Sequence, residues 1–178
     1  SIKWLQQNLF KSDIVIVDLR NRIDKGGIEA YRKGHIPGSI HSDYLKSGWR
    51  VTKKGVPGLL PDKASFENLV RGLGISNSSH VLLVPAGVSS TDFGTAARAY
   101  WQFKVYGHED VSILDGGYSA WVKATPIRVE KGDGKTPKPG LFKATFRPDL
   151  YIDTKEVASI AKKGSATLLD MQSVSRLR

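Results

Sequence analysis

The sequence contains no cysteine among its 178 residues. This absence excludes disulfide bonds, thiolate zinc sites and a cysteine nucleophile within the chain. It does not assign a compartment, because cysteine-free proteins occur in both reducing and oxidising surroundings. We expect a cytoplasmic location, and a periplasmic one also fits the sequence.

Long apolar runs and acidic residues are also scarce. No stretch approaches the roughly 18 to 20 apolar residues that span a bilayer, and any signal peptide is expected to have been removed already. The chain has 27 Lys and Arg against 17 Asp and Glu, a formal net charge of +10. The basic residues are not interleaved with exposed aromatics, and no nucleic-acid recognition motif is present. We therefore expect neither a membrane nor a nucleic-acid partner, and the charge instead suits attraction of small dianions.

Short apolar runs alternate with segments of helical periodicity, which is typical of a parallel sheet covered by helices. The predicted strands are rich in β-branched residues and uninterrupted, as expected for strands buried on both faces; they are 14–17, 81–84 and 111–114. The predicted helices between and after them are 62–73, 94–106 and 118–124. The sequence thus predicts an α/β domain, with a parallel sheet flanked by helices on both faces.

Residues 125–150 have a different character, because prolines and glycines interrupt a lysine-rich stretch that has no periodicity. This composition predicts a linker. The amino-terminal pattern then begins again, since a shift of 152 positions places Ser1 on Asp153 and Asp18 on Asp170. Each copy reads as a capped helix, a buried strand and an aspartate at the strand's carboxyl end.

The second copy has a well-specified helix start, because Asp153 and Glu156 form a capping-box pattern. Its predicted strand is 166–169. A chance match between two α/β segments is the other explanation. If the duplication is real, residues 1–124 are one domain, 125–150 the linker and 151–178 the start of a second, truncated domain.

Two loops carry residue types suited to chemistry. Residues 34–40 place a histidine before a Pro-Gly turn, and we expect His35 to donate to a backbone carbonyl there. Residues 85–94 join a strand to a helix with small and hydroxyl residues, so their backbone N–H groups could cradle an anion. The segment does not match the phosphate-loop pattern, and a structural turn is the simpler interpretation. We expect no metal and no cofactor.

Several ordered segments together resemble the rhodanese family. Residues 34–40, Gly-His-Ile-Pro-Gly-Ser-Ile, resemble its first signature, and 111–121 resemble the strand and helix that end each rhodanese domain. Residues 96–108 resemble the helix after the active-site loop. The resemblance extends over essentially the whole chain. It implies a two-domain sulfurtransferase of the thiosulfate or 3-mercaptopyruvate type, with a silent amino-terminal domain and a cysteine nucleophile in the second domain.

In such an enzyme, sulfane sulfur passes from a small anionic donor to cyanide or a thiol acceptor through a cysteine persulfide. The resemblance puts the position of a catalytic cysteine among Ser89, Ser90, Thr91 and Asp92. None of these can form a persulfide, because the reaction needs a polarisable thiolate. We therefore expect this chain alone to be inactive, with the missing second domain as its partner. A non-catalytic rhodanese-like binding module is the alternative.

Residues 168–176 resemble the opening of the family's catalytic domain. There an aspartate at the strand end is followed, six residues on, by an arginine that contacts the anionic donor. Asp170 and Arg176 match those two positions, and a guanidinium fork fits two anionic oxygens. A surface arginine is the competing interpretation of Arg176. Gln172 stands where an arginine is common, whereas the first copy keeps Arg20.

Two further positions bear on the donor and on the cleft. The mercaptopyruvate enzymes place a histidine shortly before a Leu-Pro pair, and none precedes Leu60-Pro61 here, which favours thiosulfate. Asp43 would lie near the cleft between the domains by the same resemblance, and a role in capping its own loop explains it equally well.

Overall fold

Four parallel strands form the central sheet in the computed structural model, which describes residues 1–169. In spatial order they are β2 (Ile40–His41), β1 (Ile14–Asp18), β5 (His80–Val84) and β6 (Val111–Ile113). A separate antiparallel hairpin consists of β3 (Val51–Lys53) and β4 (Val56–Leu59). The helices are α1 (Ile2–Asn8), α2 (Ile28–Lys33), α3 (Lys63–Gly72), α4 (Ser90–Val105), α5 (Gly117–Trp121) and α6 (Thr154–Lys163).

Both faces of the sheet are buried, as the uninterrupted apolar runs predict. Val17 and Leu83 belong to one apolar cluster, which includes residues of α3 and α4. Ile16 and Leu82 belong to the opposite cluster, with Leu5 of α1 and Trp121 of α5. Alternate side chains of a strand point to opposite faces, so each strand contributes to both clusters. The predicted fold class, a parallel sheet with helices on both faces, is confirmed.

The parallel pairing brings the carboxyl ends of the strands to one edge of the sheet. Asp18 pairs with His41 of β2 on one side and with Val84 of β5 on the other. The loops that leave these strands therefore begin side by side. Ligand sites of open parallel sheets lie at such an edge.

Helix α4 begins one turn earlier than the sequence predicted. Its first residue is Ser90, and the Ser89 hydroxyl caps it by accepting a hydrogen bond from the backbone N–H of Asp92. The prediction placed the start at Gly94, where the apolar pattern of the helix begins. The small and hydroxyl residues before it form the serine-capped first turn, so Gly94 lies inside the helix.

The stretch predicted as a linker packs along much of its length onto the first domain. Phe142 and Ala144 are fully buried in the cluster that contains Phe66 and Phe103. Arg71 donates from Nε to the carbonyl of Phe142 at 2.7 Å. The chain divides into two compact units after Phe146, so residues 125–146 belong to the first unit.

The second unit contains α6, whose amino terminus has the predicted capping box between Asp153 and Glu156. Gly164 ends the helix in the left-handed conformation. Residues 166–169 form no strand, contrary to the prediction. A strand needs hydrogen bonds to a neighbouring strand, and none of the described residues pairs with residues 166–169. None of the helices in residues 1–169 is long and apolar enough to cross a membrane.

Candidate functional site

A buried ion pair stands at the carboxyl end of β1. The guanidinium of Arg20 donates from Nη2 to Asp18 Oδ2 at 2.8 Å and from Nε to both carboxylate oxygens at 3.0 Å. A further Nη2 hydrogen bond, at 2.9 Å, reaches the carbonyl of Gly34. Both side chains are buried. Arg20 is therefore occupied by groups of its own domain and does not present its charge to a ligand.

Tyr118 covers the other side of this arginine. The Arg20 guanidinium carbon lies 3.9 Å from the centre of the Tyr118 ring, within the range of a cation–π contact. Burial raises the pKa of the Tyr118 hydroxyl above its ordinary value, and the nearby Asp18 charge acts in the same direction, while Arg20 opposes both. The tyrosine thus stays neutral at physiological pH and acts as a packing partner of the ion pair.

The loop after β5 lies directly against the first turn of α5, the helix that follows β6. The backbone N–H groups of Tyr118 and Ser119 donate to the carbonyls of Pro85 and Ala86, both at 2.9 Å. A Cβ on Gly87 would lie 2.0 Å from the carbonyl oxygen of Gly116, so only glycine allows this approach. Residues 85–87 are therefore braced by backbone contacts to a neighbouring element.

The carboxylate of Asp92 fills the inside of that loop. Its Oδ1 accepts from the Ala86 N–H at 2.9 Å, and its Oδ2 accepts from Gly87 at 2.6 Å and Val88 at 3.2 Å. The residue is only 1% exposed. The N–H groups that the sequence offered as an anion cradle are thus directed at an anion of the chain itself, and the segment is a structural turn.

A second carboxyl group, Asp24, lines an open cleft beside this loop. The cleft encloses about 370 Å³ and is lined by Ile23, Asp24, Lys25, Val88 and Ser89. Burial raises the pKa of Asp24, and the charges of Asp92 and Asp18 raise it further, while the Asn21 N–H lowers it. One carboxyl group and one lysine line the cleft, so its lining provides no net positive charge for a dianion.

The histidine of the 34–40 segment has the predicted structural role. His35 is fully buried, and its Nδ1 lies 2.9 Å from the carbonyl of Tyr31, so Nδ1 carries the proton that is donated. The Tyr31 ring stacks on the imidazole at 3.8 Å. His35 and Glu130 also exchange both backbone hydrogen bonds, which attaches residues 125–146 to the signature segment.

The remaining candidate residues fall into two groups. Asp43 caps its own loop, because Oδ1 accepts from the N–H groups of Leu45 and Lys46. Asp170 and Arg176, the predicted donor-binding pair, lie outside the described residues. Within residues 1–169, no group of three or more acidic or histidine side chains could hold a metal ion.

The sequence alone does not reveal the roles of Asp92 and Arg20. Ser89 and Asp92 are spaced as a capping box, so a helix start was visible in the sequence. Periodicity does not reveal that the Asp92 carboxylate accepts from N–H groups of the preceding loop, whereas in a capping box it would accept from the backbone N–H of Ser89. The spacing of Asp18 and Arg20 is likewise compatible with an ion pair or with a free arginine, and only the fold distinguishes them.

Comparison with known proteins identifies relatives along most of the chain. The family model described as "Rhodanese-like domain" matches residues 1–124. The 3-mercaptopyruvate sulfurtransferase of Escherichia coli (strain K12) is 27% identical over 177 residues, which are 97% of this chain and 60% of that protein. The thiosulfate sulfurtransferase of Rattus norvegicus is 32% identical over 149 residues, which are 82% of this chain and 47% of that protein.

Solved structures also match this chain. The crystal structure of SseA from Escherichia coli, described as a 3-mercaptopyruvate sulfotransferase with the rhodanese fold, matches with a TM-score of 0.80 at 25% identity. The match covers 99% of this chain and 66% of that one. The sulfur transferase subunit of yeast mitochondrial complex I shares the fold, with a TM-score of 0.70 at 22% identity over 90% of this chain and 56% of that one. The chain spans less than two thirds of the length of the two curated relatives named above.

Proposed function

Because the chain belongs to the rhodanese-like domain family, we propose that residues 1–124 are the catalytically silent domain of a two-domain sulfurtransferase. Residues 125–150, most of which pack onto the first domain, lead into a second rhodanese domain, whose first part is 151–178 and whose loop contains the nucleophilic cysteine. The relatives named as sulfurtransferases, each substantially longer than this chain, support the proposal. The observation that carries it is the loop after β5, which has no thiol and directs its N–H groups at Asp92.

The proposed reaction takes sulfur from thiosulfate, or from 3-mercaptopyruvate. A cysteine thiolate of the second domain attacks the outer sulfur of thiosulfate, the sulfur–sulfur bond of the donor breaks, and sulfite leaves with the bonding electron pair. Cyanide or a thiol then attacks the outer sulfur of the persulfide, and the cysteine thiolate is regenerated. The absence of a histidine before Leu60-Pro61 favours thiosulfate as the donor.

The first domain contributes a wall to the cleft in this proposal. Val88 and Ile23 are 63% and 40% exposed at the carboxyl edge of the sheet. Apolar side chains at that edge would exclude water from the reacting sulfur atoms. Arg20 is occupied by Asp18 and the loop N–H groups are occupied by Asp92, so the positive charge that holds the donor is assigned to the second domain.

Arg176 is the proposed source of that charge, and Asp170 is the second proposed donor-binding residue. Replacing Arg176 by Gln in the full-length protein should raise the KM for thiosulfate about tenfold or more, because one charge-assisted bidentate contact is lost. Lys162→Gln removes an exposed positive charge from the same unit and should leave KM within about twofold. Equal KM values for the two variants would show that Arg176 does not bind the donor.

Formation of thiocyanate from thiosulfate and cyanide tests the proposal as a whole. The full-length protein should produce thiocyanate, and residues 1–178 alone should not. Turnover by residues 1–178 would contradict a silent domain. No turnover by the full-length protein with either donor would support the alternative, a non-catalytic rhodanese-like module that binds a partner or an anion.

A further inference from the structure

The Asp92 carboxylate has the contacts of a bound anion. Three successive backbone N–H groups, those of Ala86, Gly87 and Val88, donate to its two oxygens at 2.6 to 3.2 Å. Successive N–H groups that converge in this way form an anion-binding concavity. Asp92 is only 1% exposed, so its charge is stabilised inside the protein by these donors and by the loop around them.

The concavity does not depend on Asp92 alone for its shape. Ser119 and Tyr118 fix the loop from outside by donating to the carbonyls of Ala86 and Pro85. The close contact between Gly87 and Gly116 adds a second constraint on the same side. The N–H groups should therefore keep their convergence when the carboxylate is removed, which is the condition for a preorganised site.

We propose that Asp92 is an intramolecular ligand that closes an anion-binding loop against free small anions. The side chain belongs to α4 and reaches back to the loop, so its effective concentration at the N–H groups far exceeds that of any dissolved anion. Loss of the carboxylate would leave a space of carboxylate size with three unpaired donors. Formate is the smallest carboxylate and fits the space by chemistry and by size.

Chemical rescue of Asp92→Ala by formate tests this inference on the 178-residue chain. The variant should have a lower Tm than the wild type, because three backbone donors, of which that of Ala86 is buried, lose their acceptor. Sodium formate should raise its Tm in a saturable manner, and sodium chloride at equal ionic strength should not. The wild type should show no formate-specific rise.

Asp62→Ala is the matched control, because Asp62 caps α3 by accepting from a single N–H, that of Ser65, on an exposed helix start. Its Tm should be lower than that of the wild type, and formate should not raise it. In nuclear magnetic resonance spectra, the amide signals of Gly87 and Val88 should shift with formate in Asp92→Ala and stay unchanged in the wild type. Equal formate effects in the two alanine variants, or unshifted amides, would overturn the inference.

A second variant keeps the test decisive if Asp92→Ala folds poorly. Asp92→Asn retains one acceptor oxygen and should have an intermediate Tm that does not respond to formate. If Asp92→Ala does not fold in chloride, formate should restore its native circular dichroism on refolding, and failure to do so would contradict the proposal. These measurements concern the stability of the first domain, so they are independent of the sulfurtransferase proposal.

Discussion

Charges buried at the carboxyl edge of the sheet are neutralised within the first domain. Asp18 is paired with Arg20, and Asp92 is held by three backbone N–H groups. Burial without such partners would cost several kcal/mol per charge. These residues therefore act in stability, although their types and their position at the strand ends also fit a ligand site.

Removing one partner of the buried ion pair should be strongly destabilising. Arg20→Met leaves the Asp18 carboxylate buried and unpaired, and we expect a loss of about 3 to 5 kcal/mol in the free energy of unfolding, measured in urea. Arg32→Met removes an arginine whose ion pairs with Glu29 and Asp133 are largely exposed, and should cost less than about 1 kcal/mol. Similar losses in both variants would contradict the role given to Arg20.

His108 should make the stability of the protein depend on pH. Burial lowers the pKa of its imidazole below the ordinary value of 6.5, so the folded state keeps the ring neutral where the unfolded chain takes up a proton. The unfolded state then binds more protons, and stability is lost as the pH falls below about 6.5.

The variant His108→Phe keeps an aromatic ring between Phe103 and Phe142 without a titrating group. The free energy of unfolding, measured from pH 8 to about pH 5.5, should fall less steeply for this variant than for the wild type. Parallel curves for the two proteins would show that His108 does not contribute to the pH dependence.

At the scale of single elements, the sequence predicted those strands that consist of a local apolar run. The strands at Ile14, Val81 and Val111 lie within one residue of their predicted starts, because β-branched runs buried on both faces have few alternatives. The hairpin of β3 and β4 was missed, since its turn uses Lys54 and Gly55 at positive φ instead of the common Asn-Gly pair.

The stretch after residue 124 shows where pattern reasoning fails. It has no periodicity, so its composition predicted a linker, yet Phe142 is fully buried among aromatic side chains from α3 and α4. Such contacts join residues far apart in sequence, and no local window contains the information.

Phe142→Ala should therefore destabilise the first domain by about 3 to 5 kcal/mol, the usual cost of removing a buried phenylalanine ring. Leu141→Ala, one residue earlier, is the control, because Leu141 is 85% exposed. It should change the free energy of unfolding by no more than about 0.5 kcal/mol. A small effect of Phe142→Ala in chemical denaturation would restore the free-linker interpretation.

At the scale of the whole molecule, the net charge of +10 contrasts with the candidate site, where the buried charges are neutralised by partners within the domain. Asp18 is paired with Arg20, Asp92 is held by backbone N–H groups, and Asp24 and Lys25 both line the neighbouring cleft. The excess lysine can attract dianions to the molecule in general, but it does not create a binding site in this domain. Composition predicted the class of ligand, and the geometry argues against its binding in the first domain.

The position of the persulfide tests the central proposal most directly. The full-length protein is incubated with thiosulfate without an acceptor, and its mass and its proteolytic peptides are measured. A silent first domain predicts a gain of one sulfur atom, located on a cysteine peptide beyond residue 178, and loss of that sulfur when cyanide is added. No added sulfur with thiosulfate or 3-mercaptopyruvate, or added sulfur on a peptide from residues 1–178, would contradict it.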